Sequence, residues 1–289
     1  MYGAMLVRAG HKVHFLVRSD YDHVRQHGFK IESIWGNFDL PSVHVHRDAD
    51  SLPPCDVTLV AIKTTSNASL PSLLTAPTAG GGVVLVLQNG LNIESPVQQV
   101  VPADRIYSGC SFICSNKVAA GHIHHLDKGR VMFGRLDAPA DDIAERIAAE
   151  WAAAGVPIQT TDSVAAVRWR KLMWNVPFNG LSVVLDASTQ ELIESESAVA
   201  LARRLIAEVF DAAASVDVAI DPDHREATLE ATRTMVPYDS SMRLDYRAGR
   251  PLEIEAIFDP PIAASKVPMP TVEAVRDQLR FLDERNRRP

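Results

Sequence analysis

Two mainly apolar segments, residues 56–63 and 83–88, constrain the fold of the first half of the chain more than any other feature. Both have the length of a β-strand, and a parallel strand that is covered on both faces of its sheet is apolar throughout. Each segment is followed by a pattern of helical period, at residues 66–74 and 93–101. This alternation predicts an α/β fold with a doubly wound parallel sheet.

The alternation extends along the first half of the chain and then stops. Its other predicted elements are helices at residues 2–10, 20–27 and 141–154, strands at 12–18 and 156–160, short strands up to about residue 52, and a hairpin region that ends at Gly134. After Thr161 the pattern is helical, at residues 163–185, 191–216, 223–235 and 272–284. The sequence therefore predicts a sheet domain at residues 1–161 and a helical domain at residues 162–289.

Composition and charge exclude several classes of protein. A net charge of −7 over 289 residues argues against nucleic acid as a partner. No apolar run approaches the roughly 18 residues that span a bilayer, and the first residues do not have the pattern of a signal peptide. Three cysteines, an odd number, fit a reducing cytosol. We expect a cytoplasmic protein without membrane partners.

One cluster of cysteine and histidine suggests a metal site, but its spacing is unsuitable. Cys110 and Cys114 lie in a segment rich in strand-forming residues, where they would be roughly 13 Å apart. Of the histidines that follow, His122 and His124 would face one side of a strand and His125 the other. We therefore expect no metal centre.

Lys171, Asn175 and Asn179 are spaced four residues apart in an otherwise apolar helical segment. On a helix this spacing places the three polar groups in one slowly drifting stripe. Burying an ammonium and two carboxamides is costly unless a polar group meets them, and a ligand could supply that group. The alternative is a lysine that extends to solvent and two asparagines bonded to nearby backbone. Pro177 interrupts the segment and should bend it.

A second polar cluster begins at Ser240 and Ser241 and continues through Asp245 to Glu253. Taken alone, Glu253 has a simple explanation, because it would lie in the first turn of a helix that begins at Pro251 and would complement the helix dipole. The two clusters together read K-x-x-x-N-x-x-x-N and, about seventy residues later, S-S-M-x-x-D-x-x-x-G-R-P-x-E-I. In this combination the chain resembles the ketopantoate reductase (2-dehydropantoate 2-reductase) family.

The resemblance covers nearly the whole chain and implies a fold, an activity and a set of roles. The fold is a Rossmann-like sheet domain followed by a helical domain for substrate binding and dimerisation, which allows a homodimer. The activity is the NADPH-dependent reduction of ketopantoate, or of a related 2-keto acid, in pantothenate biosynthesis. Lys171 would be the general acid and Glu253 would position it. The substrate would be bound by Asn175, Asn179, Ser241 and Asn89.

The cofactor preference follows from the end of the predicted strand at residues 12–18. NAD-binding sheets usually place an acid there for the ribose hydroxyls, whereas NADP-binding sheets accommodate the 2′-phosphate with arginine. Arg18 stands at this position, and Lys63 ends the strand at residues 56–63. Both match positions at which the family binds NADP, although Asp20 is a mild contrary sign. Asn89 would contact the nicotinamide.

Two parts of such sheets have no counterpart in the printed sequence: the first, central strand, and the glycine loop G-x-G-x-x-G that connects it to the first helix. We therefore expect the strands at residues 12–18 and 56–62 to have an unpaired edge each, and cofactor binding by this chain to be weak. We therefore also expect that the chain is truncated at its start, because its start codon was placed too late or because it is a fragment. The alternative interpretation is a non-catalytic relative that acts as a binding or dimerisation protein. A strand and a glycine loop encoded in frame upstream of Met1 would argue against that alternative.

Overall fold

The computed structural model describes residues 1–287. The chain folds into two compact units. The first unit contains Met1–Ala61, Ala68–Leu87 and Glu94–Val164. The second contains Ala165 onward and two short segments from the first half of the sequence, Ile62–Asn67 and Gln88–Ile93. The main change of unit thus falls three residues after the predicted boundary, and the two inserted segments have no counterpart in the predicted domains.

Strands and helices alternate in the first unit, which confirms the α/β prediction. Its strands are β1 (His14–Leu16), β2 (Phe29–Ser33), β3 (Phe38–Leu40), β4 (His44–His46), β5 (Val57–Val60), β6 (Val83–Val86), β7 (Ile106–Ala119), β8 (His122–Arg135) and β9 (Ile158–Thr160). Its helices are α1 (Tyr2–Arg8), α2 (Tyr21–His27), α3 (Leu70–Thr78), α4 (Ser95–Gln98) and α5 (Asp142–Ala153). All four residues of β6 are buried, as its apolar sequence predicts.

Seven strands form the main sheet in the order β3-β2-β8-β7-β6-β5, and β9 pairs with β8. The pairs β5–β6 and β6–β7 are parallel, whereas the long hairpin β7–β8 is antiparallel, so the sheet is mixed rather than uniformly parallel. Large apolar side chains on its faces, Leu85, Tyr107 and Phe133 among them, pack with Trp151 of α5 into one core.

The two strands expected to have an unpaired edge, within residues 12–18 and 56–62, lie in different sheets. Strand β1 pairs with β4 in a separate two-stranded sheet, and β5 is the last strand of the main sheet. Among residues 1–287, each of these two strands therefore has one edge without a strand partner, which confirms that expectation.

Helices make up the C-terminal part of the chain from Val164, as predicted. They are α6 (Val164–Trp174), α7 (Gly180–Val184), α8 (Thr189–Glu194), α9 (Glu196–Ser215), α10 (His224–Arg233), α11 (Ser241–Arg247), α12 (Ile254–Ile257), α13 (Asp259–Ala264) and α14 (Pro270–Asn286). The core of the second unit forms around α6, α7, α9 and α14, with Leu172, Leu205 and Leu279 fully buried. Within residues 1–287 there is no helix with the length and apolar character that crossing a membrane requires.

Candidate active site

A π-helical turn, Asn175–Asn179, separates α6 from α7 and contains Pro177, the residue expected to bend the helix. Pro177 in its middle has no N–H to donate, which favours a break in the regular helical hydrogen bonds. Asn175 and Asn179 are each only 1% exposed. Within the described residues, Nδ2 of Asn175 and Oδ1 of Asn179 have no hydrogen-bond partner. Since buried polar atoms are nearly always bonded, this donor and this acceptor fit polar groups of a ligand.

Lys171 lies on α6, one turn before Asn175, and is half-buried. Its ammonium nitrogen is 5.3 Å from the ring centroid of Trp174, a distance at which the face of the ring attracts a cation. Trp174 is itself fixed, because its ring stacks on Phe178 and its Nε1–H donates to Oγ1 of Thr232 (3.2 Å). One helical segment therefore carries the amine of Lys171 and the carboxamides of Asn175 and Asn179.

Glu253 is buried and accepts hydrogen bonds from the inserted segment Ile62–Asn67. Its Oε1 accepts from the backbone N–H (2.9 Å) and the hydroxyl (2.8 Å) of Thr64, and its Oε2 accepts from Lys63 (3.3 Å). These bonds fix the carboxylate in one orientation. The sequence pairs Glu253 with Lys171, whereas the structure joins it to Lys63 and Thr64.

Lys63 also forms an ion pair with the buried carboxylate of Asp245, at 2.8 Å. Partial burial opposes the charge of Lys63, but Glu253 and Asp245 outweigh this effect and raise its pKa above the ordinary value. The other oxygen of Asp245 accepts from Nε of Arg250 (2.8 Å). Lys63, predicted as a cofactor ligand, thus neutralises two acids of the second unit while 43% of its side chain stays exposed.

The two adjacent serines differ in role. Ser240 is the N-cap of α11: its Oγ accepts from the N–H of Arg243 (3.2 Å) and lies 2.6 Å from Oγ of Ser182. Ser241, the predicted substrate ligand, is half-buried at the first position of that helix. The structure therefore assigns Ser240 to holding the helix and leaves Ser241 accessible.

Asn89 lies in the second inserted segment, between Gln88 and Gly90, and is half-buried. Gln88 donates through Nε2 to the carbonyl of Ile62 (2.8 Å) and to Oδ1 of Asn67 (2.6 Å), and its Oε1 is buried without a partner among the described residues. Arg168 of α6 binds the backbone on both sides of Asn89. Sequence analysis missed Arg168; the available signal was a basic residue between the core positions Val167 and Trp169.

In the first unit, Arg18 is exposed two residues after β1. Asp20, the contrary sign in the sequence, has other partners: Lys117 (2.7 Å), Ser19 (2.9 Å) and the N–H of Gly121 (3.3 Å) all donate to its carboxylate. Burial alone would raise the pKa of Asp20, but these donors lower it below its ordinary value. Its carboxylate is therefore committed to the hairpin β7–β8, whereas the side chain of Arg18 is exposed.

The cysteine and histidine cluster considered in the sequence lies on the hairpin strands β7 and β8. Cys110 and Cys114 are buried on β7, a strand as predicted. Across residues 1–287, no three or more His, Cys, Asp or Glu side chains are arranged to hold a metal ion.

Comparison with known proteins gives matches along the whole chain. The family described as "Ketopantoate reductase PanE/ApbA" matches residues 1–138, and "Ketopantoate reductase PanE/ApbA C terminal" matches residues 163–283. A 2-dehydropantoate 2-reductase of a Nostoc species is 42% identical over 294 residues, which cover 99% of this chain and 92% of that protein.

Two solved structures have the same fold over nearly their full length. The 2-dehydropantoate 2-reductase of Geobacter metallireducens has a TM-score of 0.94 and 37% identity, covering 97% of this chain and 95% of its own. That of Methylococcus capsulatus has a TM-score of 0.88 and 30% identity, covering 100% of this chain and 94% of its own. These matches confirm the resemblance that the two C-terminal motifs predict.

Proposed function

Because the chain belongs to the ketopantoate reductase PanE/ApbA family, we propose that it is an NADPH-dependent oxidoreductase that reduces 2-dehydropantoate, or a related 2-keto acid, to the 2-hydroxy acid. One observation carries the proposal: Lys171 is followed, four and eight residues later, by two buried asparagines, one with an unpaired donor and the other with an unpaired acceptor. Such a stripe suits a small ligand with a carbonyl and a hydroxyl.

The reaction adds a hydride to the keto carbon and a proton to the keto oxygen. The nicotinamide cofactor, when bound, supplies the hydride. The Lys171 ammonium would polarise the carbonyl and donate its proton to the oxygen as negative charge develops there. Nδ2 of Asn175 would donate to a substrate oxygen, and Oδ1 of Asn179 would accept from the substrate hydroxyl. Ser241 would bind the substrate carboxylate.

Glu253 would act on Lys171 and on the substrate hydroxyl from the position in which Thr64 and Lys63 hold it. Asn89 would contact both the nicotinamide and the substrate. Lys63 keeps 43% of its side chain exposed, so a contact with the cofactor phosphate is compatible with its two ion pairs.

The direct test is an assay of the full gene product with NADPH and 2-dehydropantoate, followed by a panel of branched 2-keto acids. We expect oxidation of NADPH with formation of the corresponding 2-hydroxy acid. Absence of NADPH oxidation with every substrate of the panel would refute the proposal.

Arg18 is proposed to select NADPH over NADH, since an exposed arginine at this strand end suits a 2′-phosphate. In the full gene product, Arg18→Ala should raise the KM for NADPH about tenfold, the effect of losing one charge-assisted contact, and leave the KM for NADH nearly unchanged. Lys12→Ala is the control, because Lys12 is also exposed but precedes the strand. Equal changes for both cofactors would show that Arg18 does not contact the 2′-phosphate.

A further inference from the structure

Arg168 places a charged group in the interior of the second unit, where its side chain is only 2% exposed. Its Nη1 donates to the backbone carbonyl of Gln88 (3.1 Å) and to that of Gly90 (3.0 Å). Burying a guanidinium is costly unless its donors are satisfied, so these bonds must form for the interior to be stable. Both acceptors are main-chain atoms of one turn, and Asn89 is the residue between them.

The same turn is fixed from two further directions. The N–H of Leu91 donates to the carbonyl of Ala256 (3.0 Å), three residues after Glu253. The side chain of Gln88 bonds to the carbonyl of Ile62, next to Lys63. The turn therefore contacts three segments that carry proposed site residues, those of Lys63, Lys171 and Glu253, and Arg168 supplies its contact with α6.

We propose that Arg168 is a positioning residue that holds Asn89 in register with Lys171, three residues further along the same helix. The inference rests on the proposed function, which gives Asn89 and Lys171 their roles. Side chains three residues apart leave the same face of a helix. The guanidinium consequently fixes the Asn89 turn against the helical face from which the Lys171 ammonium projects.

The first experiment compares variants of the full gene product. Arg168→Met keeps most of the apolar stem and removes the donors, so the Asn89 turn can move away from α6. A displacement of about 1 Å can cost roughly 100-fold in rate, and we expect kcat to fall at least about tenfold. Arg168→Lys keeps the charge and should recover part of the loss. Arg170→Met is the matched control, since Arg170 lies on the same helix and bonds to the carbonyl of Ala166 (3.2 Å), not to the turn. It should change kcat less than twofold.

A double-mutant cycle then separates positioning of Asn89 from a general loss of structure. If Arg168 acts through Asn89, Arg168→Met should reduce kcat less than twofold in a protein that already carries Asn89→Ala. The same fold-change in both backgrounds would overturn the proposal.

Hydrogen exchange of the amides of residues 88–91 provides a test that needs no turnover. We expect at least about tenfold faster exchange in Arg168→Met than in the natural protein, and no change in Arg170→Met. Arg168→Lys, which keeps the charge, should give an intermediate exchange rate. Unchanged exchange in folded Arg168→Met would contradict the inference. A natural protein that does not oxidise NADPH would refute the proposed function instead, and the exchange result would still decide whether Arg168 holds the turn.

Discussion

Replacing Lys171 by alanine should lower kcat by about 10²–10⁴-fold, the usual contribution of a positioned general acid. Without the ammonium, the oxygen of the keto group has no proton donor on the stripe that also carries Asn175 and Asn179. Steady-state kinetics of the full gene product with saturating NADPH would measure the effect.

The control for this variant is Lys266→Ala, because the side chain of Lys266 is 68% exposed and its nearest carboxylate is 3.9 Å away. It should leave kcat unchanged. A loss below tenfold in Lys171→Ala would remove Lys171 from the role of general acid.

Replacing Gly90 by alanine should lower the free energy of unfolding by about 2–4 kcal/mol, from strain in the backbone and from a steric conflict. The φ of Gly90 is +107°, a conformation that residues with a Cβ rarely adopt. A Cβ at this position would also lie 2.5 Å from the carbonyl oxygen of Ala256. The turn that carries Asn89 would have to move away from α12, so kcat should fall as well.

Gly36→Ala is the control that separates backbone strain from the steric conflict with Ala256. Gly36 has a similar φ of +97°, but a Cβ there would meet no atom within 4 Å. Gly36→Ala should lower the free energy of unfolding by only about 1 kcal/mol, from backbone strain alone. Urea unfolding of both variants is the measurement, and equal losses would mean that the contact with Ala256 does not constrain the turn.

The parts of the structure that depend on local pattern could be predicted from the sequence. The apolar segments at residues 56–63 and 83–88 contain β5 and β6, and the four-residue spacing of Lys171, Asn175 and Asn179 does place them on one helical segment. The apolar character of a segment and its hydrophobic period depend on neighbouring residues, so both can be read from a single sequence.

The parts that depend on distant partners could not be predicted. Lys63 meets Glu253 across 190 positions, and no local signal distinguishes a lysine that neutralises two buried carboxylates from one that awaits a phosphate. Pro177 predicts that the helix is interrupted, but not that the interruption is a π-helical turn. The form of the interruption depends on how the flanking helices pack.

Two short segments from the first half of the sequence, Ile62–Asn67 and Gln88–Ile93, belong to the second unit, and this limits how the protein can be cut into fragments. A fragment that begins at Ala165 contains Glu253 and Asp245 but not Lys63 or Thr64, the residues that balance and orient those acids. It also loses Asn89. A chimera that exchanges the C-terminal half between relatives would therefore separate the acids from the partners in their own chain, unless Ile62–Asn67 and Gln88–Ile93 are transferred with it. This part of the site is encoded in three separate stretches of the gene, which have to be transferred together.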